Sequence, residues 1–499
     1  MGFSVIRLLV LFVWCFGTGL STAQASEFFD KLIDRARHSA TQAYTKEAPI
    51  PDTAKLGYDA YRGIRFRPES ILWRDSGQFH VEFFPTGFLY QTPVKMYVIR
   101  RNATSDVPGE AMALSPSPDM FDFGTGTPPA NVGFAGFKIT NPLNGQKFDE
   151  IVSFLGASYF RPIGKGQAYG ASARGLAIDT AQPRSEEFPE FREFWLVEPA
   201  AGDTSVTIYA LLESPGASGA YAFTVIPGKR TTVDVDARLF MRHGVSMLGI
   251  APLTSMFLSG KSGPWRDDFR PEVHDSDGLA LLTGEGERIW RPLRNPGSLQ
   301  VSSFVDNNPR GFGLLQRERR FDRYQDGVAN YETRPSLWVE PKGDWGEGEV
   351  RLVEIPTPSE YHDNIVAFWV SRWPVEKGAA LEYRYRLSAL SDEAALAPEA
   401  RVVATRQAPV DGNGKARRLV VEFEGDTLAQ LPEQRLIESN VDVSGGKLLR
   451  AEVDRASGST NRRLFIDVEP ESRRVAEIRA FLTLDGKRLS ETFSIQLRP

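Results

Sequence analysis

The chain has 499 residues, with 59 Lys and Arg against 64 Asp and Glu, for a formal net charge of −5. The basic residues are dispersed, which excludes the concentrated positive surface that nucleic acid requires. Cys15 is the only cysteine, so the rest of the chain has no disulfide, no thiol chemistry and no thiolate for a metal, and it suits an oxidising compartment.

Residues 1–25 read as a cleaved secretory signal. Arg7 is the only early charge, an apolar run occupies 8–14, and Ala23-Gln24-Ala25 forms an A-x-A cleavage pattern. The run is shorter than the roughly 20 apolar residues that span a bilayer, so no membrane span is expected after cleavage. The signal holds no twin-arginine pair, which favours the general secretion route and a periplasmic location. Next, residues 27–46 form an amphipathic stretch with Phe28, Phe29, Leu32 and Ile33 on one side.

Beyond it the pattern changes to short alternating segments. Residues 80–84, 94–99, 205–211, 221–226 and 231–235 read as strands, separated by Gly, Pro, Asn and Asp. Many strands without intervening helices predict an all-β protein of stacked antiparallel sheets. The length calls for two or more domains. An Ala- and acid-rich segment at 391–398 suggests a short helical linker within 389–405. The expected units are a β-sandwich over 26–388 and a small immunoglobulin-like sandwich over 406–499.

Three segments are candidates for chemistry. The first, Asp267 to Gly278, carries five carboxylates, including Glu272, Asp275 and Asp277, with Arg270 and His274. It reads as a loop at strand ends, where sites are built; a solvated loop or a calcium site fits its composition equally. In the second, Tyr361-His362-Asp363-Asn364 leads into the apolar run Ile365-Val366-Ala367-Phe368-Trp369. Asp363 there is either a strand-edge cap or an acid whose apolar wall raises its pKa. The third joins Tyr331, Arg334, Trp338 and Trp345; such residues serve sugar recognition or core packing. Two carboxyl groups are the minimum for glycoside hydrolysis, and Asp275 or Asp277 with Asp363 could supply them. No G-x-S-x-G elbow and no H-E-x-x-H motif exist. No metal site and no cofactor is expected.

Longer strings carry a resemblance. These include Tyr58-Asp59-Ala60-Tyr61-Arg62-Gly63, Tyr169-Gly170-Ala171-Ser172-Ala173-Arg174-Gly175 and Phe191-Arg192-Glu193-Phe194-Trp195. Further on come Gly311-Phe312-Gly313-Leu314, Asp363-Asn364-Ile365-Val366-Ala367 and Leu489-Ser490-Glu491-Thr492. Together they resemble the periplasmic glucan biosynthesis proteins of the G and D type, over essentially the whole chain after the signal. The lack of a twin-arginine pair is similar to the G branch, and residues 258–265 depart from the family pattern.

The resemblance implies a galactose-mutarotase-like β-sandwich followed by an immunoglobulin-like domain. It also implies anomer-inverting hydrolysis or transglycosylation of β-1,2-glucan. Asp363 would be the general acid and the 275–277 segment the base, with Asp275 favoured over Asp277. Proton relays would allow a separation beyond the roughly 6.5–9.5 Å of ordinary inverting enzymes. Glu272, His274, Tyr331, Arg334, Trp338 and Trp345 would contact or support the glucan. The implied partner is β-1,2-glucan, with the inner-membrane glucan synthase as a candidate protein partner. A non-catalytic escort for nascent glucan is the main alternative; a sugar epimerase rests on fold analogy alone.

Overall fold

The computed structural model describes residues 21–498 apart from 54, 76, 103–104, 262–266, 392–399, 433–434, 456–457 and 473, with side chains described outside 21–26 and 101–109. Most of the expected signal, the centre of the expected linker and part of the divergent 258–265 stretch lie outside the described residues.

The alternation in the sequence becomes strand faces. In Thr231–Met241 the odd-numbered residues are buried and the even-numbered ones half-buried through Arg238, as a strand with one core-facing side requires. Strands of this kind form two large sheets. The ten-stranded sheet runs in the order His80–Pro85, Phe134–Asn141, Asp149–Leu155, Tyr159–Pro162, Ser172–Arg174, Leu248–Ser255, Ile365–Ser371, Glu347–Glu354 and Gln300–Asn307, with Leu176–Ile178 also pairing to Leu248–Ser255. The fifteen-stranded sheet includes Glu190–Val197, Val206–Glu213, Ala217–Ile226, Thr231–Met241 and Ala380–Leu390 as neighbours.

The two sheets share one core, in which aromatic rings from both meet. Phe137 reaches Phe194 at 5.0 Å between centroids, and Phe154 reaches Phe223 at 5.1 Å, both edge to face. Many of the chain's aromatic residues lie in this seam.

The larger sheet does not stop at the first sandwich. Through Ile289↔Thr492 and Trp290↔Phe493 it continues into Thr492–Leu497, Ala476–Leu484 and Glu438–Ser444. A four-stranded sheet of Arg401–Val410, Asn413–Glu424, Arg462–Pro470 and Gly446–Arg455 completes a second sandwich. Its core joins Leu419, Val421, Ile466 and Phe493 to Trp290 and Trp338 from the first. Strand Ala380–Leu390 enters the expected linker from one side and strand Arg401–Val410 from the other.

The amphipathic stretch forms a helix over Ser21–Ala40 rather than continuing to Lys46. Phe29, Leu32 and Ala36 pack on Ile99, Trp195, Tyr209 and Phe240, on the outer face of the larger sheet. Past Ala40 the chain turns, with Thr41 and Gln42 N–H bonding back to His38 and Ser39.

Candidate functional site

Strand Leu248–Ser255 lies beside Ile365–Ser371, with Ser255 opposite Ile365. Two residues further on, the chain changes partner: Phe257 pairs with His274. The link between the two pairings carries the site. Asp275 N–H donates to Met256 O at 2.9 Å. The next residue, Phe257, donates its N–H to Asn364 Oδ1 at 2.8 Å and accepts from Asn364 Nδ2 at 3.0 Å. Asn364 Nδ2 also donates to Ile355 O at 2.9 Å. Asp275 and the residue after Asp363 are thus fastened to adjacent residues of one segment. Ser255 and Ser276 add a buried hydroxyl contact of 2.9 Å.

Asp275 is 5% exposed and pairs with Arg334 Nη1. The Arg334 guanidinium also lies over the Tyr331 ring at 4.1 Å and donates to Ala329 O. Burial pushes the Asp275 carboxyl up to about 6; Arg334 opposes the rise, the charge of Asp363 adds to it, and His274 opposes it. Asp363 is open to solvent. The protein crowded around its carboxyl still raises it above the ordinary aspartate range, against Arg161 and Arg334. The two carboxyls therefore feel each other and share the field of Arg334.

Asp277 faces elsewhere. It accepts the backbone N–H of Arg317 at 3.1 Å and of Glu318 at 3.0 Å. Arg317 in turn stacks on Trp290 at 3.6 Å and grips Glu491 at 2.6 and 3.0 Å. Asp277 belongs to the junction between the sandwiches, and the geometry sets it apart from Asp275.

Of the six expected contact residues, Arg334 alone bonds one of the two carboxylates. Glu272, His274 and Tyr331 are buried behind the Asp275 loop. Trp338 is buried in the second core. Its indole covers Gly311 and Gly313, where a Cβ would come within 2.2 and 2.9 Å of the ring, so glycine is required for that approach. Trp345 is buried in the main core against Trp369 and Tyr383. As placed, these two tryptophans are packing residues, because neither ring presents a face to solvent.

Other residues line the approach to Asp363. In Tyr159–Pro162 the alternation puts Phe160 in the core and Tyr159 and Arg161 on the outer face. Cross-strand pairs continue that polar face: Glu82 with Lys138, Lys138 with Ser153, Ser153 with Arg161, Tyr159 with Arg174, and Ser172 with Thr254. Tyr169 Oη donates to Glu150. Arg270 ties three loops together through Asp268, Asp326 and Glu360, at 2.8, 3.0 and 2.6 Å. The period-2 pattern of Tyr159-Phe160-Arg161 was the available signal for two of these residues; Arg270 and Asn364 lay inside candidate segments, but nothing local marked their roles as ties between loops.

A model of the periplasmic glucan biosynthesis protein family, MdoG, matches residues 28–497. The chain belongs to this family. It is 44% identical over 476 residues to glucans biosynthesis protein G 1 of Shewanella oneidensis, covering 93% of this chain and 86% of that one. It is also 44% identical over 476 residues to glucans biosynthesis protein G of Shewanella putrefaciens, with the same two shares. Against the protein of the same name from Shewanella baltica the identity is 43% over 478 residues. This is a periplasmic protein with a role in periplasmic glucan biosynthesis. No helix among the described residues is long and apolar enough to cross a membrane.

Proposed function

We propose that this MdoG-family protein cleaves or transfers β-1,2-linked glucan with inversion, with Asp363 as the acid and Asp275 as the base. The observation that carries the reading is the pair itself. Two carboxyls of raised pKa sit on backbone that is held to adjacent residues, Asp275 through its own N–H to Met256 and Asp363 through the next residue, Asn364, to Phe257. A raised, solvent-open acid can keep the proton that it must give to the leaving glycosidic oxygen. Water, or a glucan hydroxyl in transfer, attacks the anomeric carbon and loses its proton to Asp275. Because Asp275 is buried, that proton reaches it through water or substrate hydroxyls. Glu82, Lys138, Tyr159 and Arg161, the more open members of the cross-strand row, are groups suited to binding sugar hydroxyls.

Residues 1–25 act in this reading as a cleaved export signal.

One observation favours a non-catalytic escort that presents nascent glucan to modifying enzymes: Arg334 closes directly on the buried Asp275. Incubating purified protein with linear β-1,2-glucan and reading product sizes separates the two. Shortened or transferred chains support the enzyme; unchanged chains after long incubation, with glucan bound, support the escort.

A further inference from the structure

Glu272, His274 and Gln316 lie behind Asp275, all closed off from solvent, with His274 at 0% exposure. The Gln316 side chain bridges two loops. Its Nε2 donates to His274 O at 2.8 Å and to Tyr331 O at 3.2 Å. The first carbonyl belongs to the peptide joining His274 to Asp275. The second also accepts Arg334 N–H at 3.2 Å. A single amide thus sets the position of both members of the Asp275–Arg334 ion pair.

Those two bonds also decide which end of the amide meets the imidazole. With Nε2 committed to two carbonyls, Oε1 is the atom 2.8 Å from His274 Nδ1. A carbonyl oxygen only accepts, so Nδ1 donates. Across the ring, His274 Nε2 lies 3.1 Å from Glu272 Oε2. Arg323 holds that carboxylate at 2.8 Å through Nε and 2.7 Å through Nη2. A carboxylate paired with arginine also only accepts, so Nε2 donates as well. Phe257 and Tyr324 pack ring to ring with the imidazole, each at 5.3 Å between centroids, and Lys261 adds its charge to that of Arg323 at the Glu272 carboxylate.

We propose that Gln316 and His274 form a buried positioning unit, in which His274 donates from both ring nitrogens and places a positive charge behind Asp275 while Gln316 holds Asp275 and Arg334 in register. This rests on the reading of Asp275 as the base for its consequence in turnover, but not for its structural claim. Neither residue touches substrate; both act through Asp275.

The chain has five histidines, so histidine-selective ¹⁵N labelling of the full-length protein gives few ring signals, and His274→Gln assigns the one that matters. The expected spectrum at neutral pH has a proton on both His274 nitrogens, and a bare ring nitrogen overturns the proposal. In turnover of linear β-1,2-glucan, Gln316→Met is expected to lower kcat about tenfold, as the loss of buried hydrogen bonds implies. KM should stay within about twofold, and the acid limb of the pH profile should move upward. A folded Gln316→Met with the wild-type kcat and pH profile also overturns the proposal. A wild type without any turnover refutes the hydrolase reading instead and leaves the ring measurement decisive for His274.

Discussion

Asn364 holds Phe257 by both of its backbone groups, accepting its N–H at 2.8 Å and donating to its carbonyl at 3.0 Å. That clamp imitates a strand pairing with one side chain, at the point where the chain leaves Ile365–Ser371 for Val273–His274. Asp363 precedes the clamp, and Asp275 is bonded to the residue before Phe257. The separation of the two carboxyls is therefore set by buried hydrogen bonds.

Replacing the clamp should disturb stability and rate together. Asn364→Ala leaves the Phe257 and Ile355 backbone groups unpaired in a buried site, at a cost of about 1–3 kcal/mol. Urea unfolding should give a lower midpoint, and glucan turnover should fall even under conditions where the variant is fully folded. Unchanged turnover in the folded variant would mean that the clamp does not set the acid–base geometry.

Asp363→Asn keeps the shape and removes the proton. Turnover of linear β-1,2-glucan should fall by about 10²–10⁴, the usual range for a general acid, while calorimetric binding of the glucan persists. Full turnover in this variant would exclude Asp363 as the acid.

Asp275 and Asp277 should separate by phenotype. Asp275→Asn should abolish turnover. Asp277→Asn should mainly destabilise, by about 1–3 kcal/mol, because its carboxylate satisfies the N–H groups of Arg317 and Glu318. Chemical denaturation and product sizing on both variants check this, and the reverse pattern would move the base to Asp277.

Stability should depend on pH through Asp275. Its folded value of about 6 exceeds that of an unfolded aspartate, about 3.9. The folded protein holds this proton more tightly, so the stabilisation is complete below about 4 and is lost as pH rises through about 6. The change is on the order of 2–3 kcal/mol. Urea midpoints between pH 4 and 7 should fall more steeply for wild type than for Asp275→Asn. Asp363, also raised, contributes the same slope to both, so equal slopes would remove Asp275 as the source.

Trp338→Ala and Trp345→Ala should each cost about 3–5 kcal/mol by emptying a core position, with glucan affinity retained in whatever remains folded. Arg161→Ala, on the polar face beside Asp363, should weaken glucan binding with little effect on the unfolding midpoint. Loss of affinity in folded Trp338→Ala would restore that residue to the binding surface.

Much of the secondary structure was legible in the sequence. Residues 94–99, 205–211 and 231–235 alternate, and the strands Lys95–Asn102, Val206–Glu213 and Thr231–Met241 follow. Asp363 stood out because a polar cluster runs straight into the apolar strand Ile365–Ser371. From the residues alone Asp275 and Asp277 could not be told apart, since a loop has no fixed period; only the resemblance favoured Asp275. The strand Val273–His274 ends before both, and the next, Gly278–Leu282, starts after them, so the intervening turn sends them different ways. For Trp338 and Trp345 the sequence left sugar recognition and core packing open, because a tryptophan in a loop-like sequence looks the same either way; both rings are buried.

By itself, the sequence determined an all-β chain with almost no cysteine and a carboxylate-rich loop, because period and composition are local properties. Its long shared strings also pointed to the family. Tertiary structure alone decided that the large sheet runs on into the second sandwich, and that Asp275 pairs with Arg334 while Asp277 binds the N–H groups of Arg317 and Glu318. It alone joined Gln316 to both sides of the Asp275–Arg334 pair. Those relations depend on hydrogen bonds between residues far apart in the chain, Phe257 with Asn364 among them, and no local pattern records which distant partner a buried polar group will find.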